Sequence, residues 1–175
     1  MKIFYLKISE LLKIYTEEEI SNYADTHEIK SSKRFIQHCA GRFLIKNVFK
    51  KIYNVQDPQI YIYNKKPKLK NGEIHFSLAH SADYVIGVFD NSPCGIDLEY
   101  MRPVNLNLLS KRYNKSFKTS EDFYKFWTKY EAAIKLGTKA EFEYSSTFKN
   151  EYTLTLLSSD KSPSPIEFTD FLKTC

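Results

Sequence analysis

The sequence predicts an α+β fold, and three features carry that prediction. Strand-like and helix-like patterns come in blocks (strand, helices, strands, helices, strands) rather than in the regular alternation of a βαβ chain. The 175 residues suit about one domain or two small halves. Thirteen Tyr, 13 Phe and one Trp supply ample apolar bulk for a core.

The elements follow in order. Ile3 to Ile8 sets Phe4, Leu6 and Ile8 at alternate positions, the period of a strand. Thr16-Glu17-Glu18-Glu19 is a capping box opening a short helix to about Tyr23. Ser31 or Ser32 caps a longer helix in which Phe35, Cys39, Phe43, Ile45, Val48, Phe49 and Ile52 recur at helical spacing; Asp57-Pro58 breaks that pattern. Ile60 to Tyr63 is strand-like, Lys65-Lys66-Pro67-Lys68 is a basic turn, and Ile74 to Leu78 is another short strand. Tyr84 to Phe89 and Gly95 to Tyr100 read as a hairpin joined across Asp90 to Cys94. Pro103 marks the expected internal boundary, dividing an N-terminal α+β half, 1–102, from a C-terminal α+β half, 103–175. Helices are expected over Leu106 to Tyr113 and Ser120 to Leu136. The second is capped by Ser120, turns Phe123, Phe126, Trp127, Ala133 and Ile134 inward, and ends at Gly137. The tail holds a strand from Tyr152 to Leu157, a loop from Ser158 to Pro165 and a closing segment from Ile166 to Leu172.

Composition narrows the function. Cys39, Cys94 and Cys175 stand far apart with no CxxC, so neither a disulfide framework nor a structural zinc site is expected. His27, His38, His75 and His80 form no HExxH frame, which leaves a zinc hydrolase unsupported. No run approaches the ~18 apolar residues of a membrane span. Met1 to Ile8 is too short and too charged for a signal-peptide core, so a soluble cytoplasmic protein is expected. The net charge of +5, from 26 Lys and Arg against 21 Asp and Glu, suits an anionic partner, though a solvated lysine surface gives the same balance. A nucleic-acid module would need basic residues clustered with aromatics and a recognition element, and no such motif is found.

The residues that bear chemistry lie in short motifs. In Gly95-Ile96-Asp97-Leu98-Glu99, a strand puts Asp97 and Glu99 on one face and Ile96 and Leu98 on the other. Two carboxylates about 6–7 Å apart repel unless water or a cation lies between them. Mg²⁺ takes hard oxygen ligands of this kind, although a solvent-facing edge strand has the same spacing. In Trp127 to Lys135, Glu131 and Lys135 share a helix face, either as an ordinary ion pair or as a third carboxylate beside a phosphate-binding lysine. Phe76-Ser77-Leu78-Ala79-His80-Ser81 places a histidine where a strand ends, a common position for ligand contacts. Lys65, Lys66, Lys68 and Lys70 form a solvated loop or a phosphate clamp, and Arg42, after Gly41, snorkels or grips an anion.

Together these motifs resemble the Sfp-type 4′-phosphopantetheinyl transferases. The resemblance runs from about Ser32 to Gly137. It consists of Ala40-Gly41-Arg42 with Leu44 and Ile45, then Lys66-Pro67, Phe76 to Ser81, Gly95 to Glu99, and Trp127 to Lys135, in that order. It implies two similar α/β halves related by a pseudo-twofold, the second shortened at its C-terminus, with the site between them. It implies transfer of the 4′-phosphopantetheine arm of coenzyme A to a serine of an apo acyl or peptidyl carrier protein. That is the holo-[acyl-carrier-protein] synthase reaction, Mg²⁺-dependent, in fatty acid or secondary metabolite biosynthesis. The alternative is a degenerate relative that binds coenzyme A or a carrier protein without efficient transfer. Neither nucleic acid nor membrane is an expected partner, and a monomer is expected.

The resemblance assigns Asp97, Glu99 and Glu131 to Mg²⁺ and Lys135 to the phosphate under attack. It places Arg34, Arg42, Lys66, Pro67, His80 and Ser81 around coenzyme A. Three positions depart from the family: Tyr130 replaces a Lys, Ala79 a Ser, and Gln37 an Arg or Lys. The family's base-bearing segment has no match. Lys118 is protonated near neutral pH, and Glu121 serves only if the loop from Asn114 to Thr119 folds back, so Glu131 is the expected general base in preference to Glu121.

Overall fold

The structure, a computed structural model, describes residues 1–23, 32–63, 66–70 and 72–174. Its elements are β1 (Lys2–Lys7), α1 (Ile8–Ile14), α2 (Glu17–Ser21), α3 (Ser32–Ile52), β2 (Ile60–Tyr63), β3 (Lys66–Leu69), β4 (His75–Ser81), β5 (Tyr84–Asp90), β6 (Cys94–Tyr100), α4 (Leu106–Tyr113), α5 (Ser120–Leu136), β7 (Phe142–Phe148), β8 (Tyr152–Ser158), β9 (Glu167–Asp170) and a 3₁₀ turn (Phe171–Thr174). The class is mixed α+β, as the block order of the sequence predicts.

Local chemistry explains the helix ends. Thr16 Oγ1 accepts from the Glu19 amide at 3.2 Å, and the Glu19 carboxylate accepts from the Thr16 amide at 2.8 Å, closing the expected capping box. On α5 the cap is Thr119, in a reciprocal box with Asp122, and Ser120 is the first helical residue. Gly137 stops α5 with φ 72°, a conformation that costs glycine little. Ser31 lies outside the described residues, as do Lys65, His27 and Cys175.

Two sheets form the body of the fold, in the orders β4-β5-β1-β9 and β6-β8-β7, and β2-β3 is a separate hairpin. The expected hairpin of β5 with β6 is not present. β5 is already paired on both sides, with β4 and with β1, so it has no edge left for β6. Residues 91–93 instead carry the chain into the second sheet, where β6 pairs antiparallel with β8. β6 lies before Pro103 yet joins the later strands, and β9 lies after it yet runs parallel to β1. The order β4-β5-β1 recurs as β7-β8-β6, with α3 packed on the first set and α5 on the second.

The cores follow this layering. Under α3, Phe4, Leu6, Phe43, Phe49 and Phe89 pack with Phe171, which the C-terminal turn returns to the first sheet. Between the sheets lie Ile3, Ile86, Val88, Ile96, Leu98 and Leu154. Cys39 and Cys94 are buried free thiols. α5 is rotated from its expected orientation. Tyr124, Thr128, Ala132 and Leu136 join Phe123 in the buried stripe, while Ala133 and Ile134 face solvent and Phe126 and Trp127 are half-buried. The small residues point inward because α5 lies directly on β6, and the aromatics instead flank Tyr113 and Phe117. No helix among the described residues is long and apolar enough to cross a membrane.

Candidate functional site

The site begins with a close approach of helix to strand. A Cβ on Gly95 would stand 2.2 Å from the carbonyl oxygen of Ala132, so only glycine lets α5 rest on β6 at this point. Ile96 and Leu98 face the inter-sheet core, and Asp97 faces the helix. Lys135, half-buried one turn beyond Glu131, donates from Nζ to Asp97 Oδ1 at 2.7 Å and to the Ile96 carbonyl at 3.1 Å. The helical spacing made Glu131 an eligible partner for Lys135, but the fold gives that lysine to Asp97.

Asp97 is 6% exposed, and burial pushes its carboxyl up to about 6. Lys135 opposes that rise, while Glu99 and Glu131 reinforce it by repulsion. Glu99 Oε2 accepts from Ser81 Oγ at 2.8 Å. The three expected metal carboxylates therefore influence one another without closing on one point. Among the described residues, no three His, Cys, Asp or Glu side chains form a group able to hold a metal ion. Lys135 holds one oxygen of Asp97, and Ser81 donates to one oxygen of Glu99. The donor chemistry still fits Mg²⁺. Asp97 Oδ2 is buried and, among the described residues, has no hydrogen-bond partner. One or two carboxylates suffice where substrate phosphates and waters complete an octahedron.

Beside this pair lies a cavity of about 510 Å³, lined among others by Tyr61, Tyr63, Lys66, Lys68, Lys135 and Gly137. A smaller recess of about 130 Å³ shares Lys66, Pro67, Phe76 and Lys135 with it. A Cβ on Gly137 would stand 2.5 Å from Lys66 Nζ, so that ammonium sits at the negative, C-terminal end of α5. Burial and repulsion from Lys68 hold Lys66 below the usual lysine range. The sequence pattern identifies Tyr61 and Tyr63 only as strand residues. Their i, i+2 spacing beside a lysine run was the available signal for an aromatic-basic wall.

The remaining candidates lie outside the cavity lining. His80 is the penultimate residue of β4; although exposed by area, enough protein surrounds it that desolvation lowers its pKa, and Lys135, His38 and Arg34 push the same way. Arg34 is exposed on α3, whereas Arg42 is 5% exposed and packed inside the fold. Ser81 is buried, with its hydroxyl on Glu99. Gln37, at a position where the resembled family carries a cation, donates from Nε2 to the Ala82 carbonyl at 2.9 Å and ties α3 to the β4–β5 turn. Glu121 pairs with Lys125 at 2.7 Å on the helix surface. It lies about 15 Å from Glu131 along the axis of α5.

A lysine-lined cavity beside a buried carboxylate, on this α+β scaffold, has the chemistry of a site for a phosphorylated ligand. No protein-family model matches the chain. Curated relatives do match it. The chain is 25% identical over 157 residues to 4′-phosphopantetheinyl transferase ffp of Bacillus subtilis, covering 77% of this chain and 69% of the relative. It is 29% identical over 113 residues to 4′-phosphopantetheinyl transferase psf-1 of Bacillus pumilus, covering 57% and 48%. It is 23% identical over 155 residues to 4′-phosphopantetheinyl transferase Sfp of Bacillus subtilis (strain 168), covering 77% and 69%. The chain is thus similar to the Sfp-type 4′-phosphopantetheinyl transferases, as its motifs indicated.

Proposed function

We propose that this chain is a 4′-phosphopantetheinyl transferase that moves the arm of coenzyme A onto a serine of an apo acyl or peptidyl carrier protein. The observation that carries the reading is the Asp97–Lys135 pair at a cavity walled by Lys66, in a chain similar to proteins named for that reaction. Coenzyme A is anionic at its pyrophosphate and its 3′-phosphate. Lys66 and Lys135 meet those phosphates from the cavity wall, with Pro67 shaping the recess; Arg34 adds positive charge near the end of β4, where His80, its pKa lowered by burial, offers a neutral imidazole for hydrogen bonding. Arg42 and Ser81, which the resemblance assigns to coenzyme A, are buried and do not line the cavity.

Asp97 and Glu99, with Glu131 from α5, would hold Mg²⁺, which supplies neutralisation of the charge that develops on the leaving group. The serine oxygen forms a bond to the phosphorus of the arm, and the bridging P–O bond to adenosine 3′,5′-bisphosphate breaks. The serine proton passes to the Glu131 carboxylate, directly or through one water. Lys135 lies against the phosphate under attack and stabilises its added charge. The shared strand order β4-β5-β1 and β7-β8-β6 supports two α/β halves related by a pseudo-twofold. The sequence pattern divides the chain into halves 1–102 and 103–175; the strand repeat supports a second half that begins at β6 instead. A monomer in the cytoplasm completes the reading.

The test is incubation with coenzyme A, Mg²⁺ and an apo carrier protein, followed by mass spectrometry of the carrier. Gain of the phosphopantetheine mass, lost when Mg²⁺ is chelated, is the expected result. A carrier of unchanged mass overturns the reading; bound coenzyme A without transfer identifies the degenerate binder.

A further inference from the structure

β4 and β6 are the terminal strands of their sheets and lie side by side, joined by side chains. The Ile96 amide donates to Ser77 Oγ at 3.1 Å, and the Tyr100 amide donates to Ser81 Oγ at 3.0 Å. The second contact lies four residues beyond the first on both strands, so the strands run parallel here. The two serine hydroxyls occupy places where ladder carbonyls would otherwise accept. Ile96 and Tyr100 bracket Asp97 and Glu99, so this seam fixes the backbone that carries both carboxylates.

Ser81 does more than close the seam. A serine hydroxyl has one proton to donate, and the Ser81 proton goes to Glu99 Oε2 at 2.8 Å. That commitment leaves nothing to donate to a phosphate oxygen. Glu99 sits near the end of β6, half-buried, on a side chain with three rotatable bonds. A hydroxyl itself held by a main-chain amide selects one orientation of that carboxylate. We infer that Ser81 is a positioning residue that aims Glu99 for divalent-cation binding, rather than a ligand of coenzyme A. The inference rests on the transferase reading only in naming Glu99 as a cation ligand.

The test uses the full chain with Mn²⁺ as the probe, followed by loss of the free-ion paramagnetic resonance signal, beside thermal unfolding of each variant. Ser81→Ala should weaken Mn²⁺ binding about 10-fold or more, the usual cost of losing a group that orients a metal ligand. Ser81→Thr, which keeps the hydroxyl, should restore most of that affinity. Ser77→Ala removes the other seam bond without touching a carboxylate and should leave affinity within about threefold of the parent. In a Glu99→Gln background, Ser81→Ala should cost nothing further, because the group it aims is gone.

Ser81→Ala with affinity within about twofold of wild type overturns the inference, as does equal weakening by Ser77→Ala, which would mark a purely structural seam. If Ser81→Ala does not fold, Ser81→Cys, a weak donor of similar size, carries the same comparison. Failure of the wild type to bind Mn²⁺ overturns it as well. Normal Mn²⁺ behaviour without transfer to an apo carrier overturns the transferase reading and leaves the positioning role in place.

Discussion

Lys135 Nζ stands 2.7 Å from Asp97 Oδ1, joining a helix to a strand 38 residues away in sequence. Most of the candidate chemistry is arranged around that bond. It selects the partner of the lysine, sets the environment of the buried carboxylate and closes one wall of the cavity.

The first prediction concerns pH and stability in the metal-free protein. The Asp97 pKa is raised from an ordinary 3.8 to about 6 in the folded state. The folded chain therefore holds a proton that the unfolded chain has released across that window. Stability from this group is present below about pH 4 and is lost as pH rises through about 6, by about 3 kcal/mol. Urea unfolding of wild type and Asp97→Asn from pH 4 to 7, with chelator present, should show the variant gaining on wild type by that amount. A constant difference across the range would show that Asp97 titrates normally.

The second concerns the helix–strand contact. Gly95→Ala places a methyl 2.2 Å from the Ala132 carbonyl and 2.6 Å from the Leu136 amide, both backbone atoms. α5 must move away from β6, at a cost of at least about 2 kcal/mol. Chemical denaturation should show that loss. Transfer activity should fall further than stability alone explains, because Lys135 moves with the helix. Unchanged unfolding would mean that the two elements are not in this register.

The third separates the candidate bases. Glu131→Gln should lower turnover by about 100-fold at saturating Mg²⁺, within the usual range for a general base. Glu121→Gln should change turnover less than twofold, because Glu121 is an exposed partner of Lys125. The reverse ranking would move the base to the N-terminal end of α5. Near-normal turnover in both would point to proton loss to solvent.

The fourth concerns the partner. With a net charge of +5, encounter with an acidic carrier protein should be partly electrostatic. Lys111, Arg112, Lys115 and Lys118, on and just after α4, are the expected contacts. Exposed charges are screened within about 8 Å at physiological ionic strength, so KM for the carrier should rise several-fold between low and high salt while KM for coenzyme A changes less. A KM for the carrier that does not change with salt would exclude steering.

Much of the fold was legible because it depends on residues a few positions apart. The capping box of Thr16 and Glu19, the stop at Gly137 and the exact span of α4 are near-neighbour chemistry. The shared face of Asp97 and Glu99 follows from a period of two. β7 was missed because its outward Glu143, Ser145 and Thr147 and half-buried inner face weaken the apolar signal at a sheet edge. The Ser77–Ser81 seam was visible only as two serines on one strand face, a pattern that also suits plain solvent exposure.

The sequence by itself determined most of the helices and strands, the shared face of Asp97 and Glu99, and which residue types gather into the transferase-like motifs; it did not show α1, β3 or β7. Tertiary structure alone decided that β6 leaves β5 for β8, that α5 turns its small residues inward, that Lys135 binds Asp97 instead of Glu131, and that Arg42 is buried. Periodicity fixes the face of an element through backbone geometry but carries no information about its partner. That choice depends on which edges are already filled and how closely two backbones can approach, and those quantities exist only once the chain has folded.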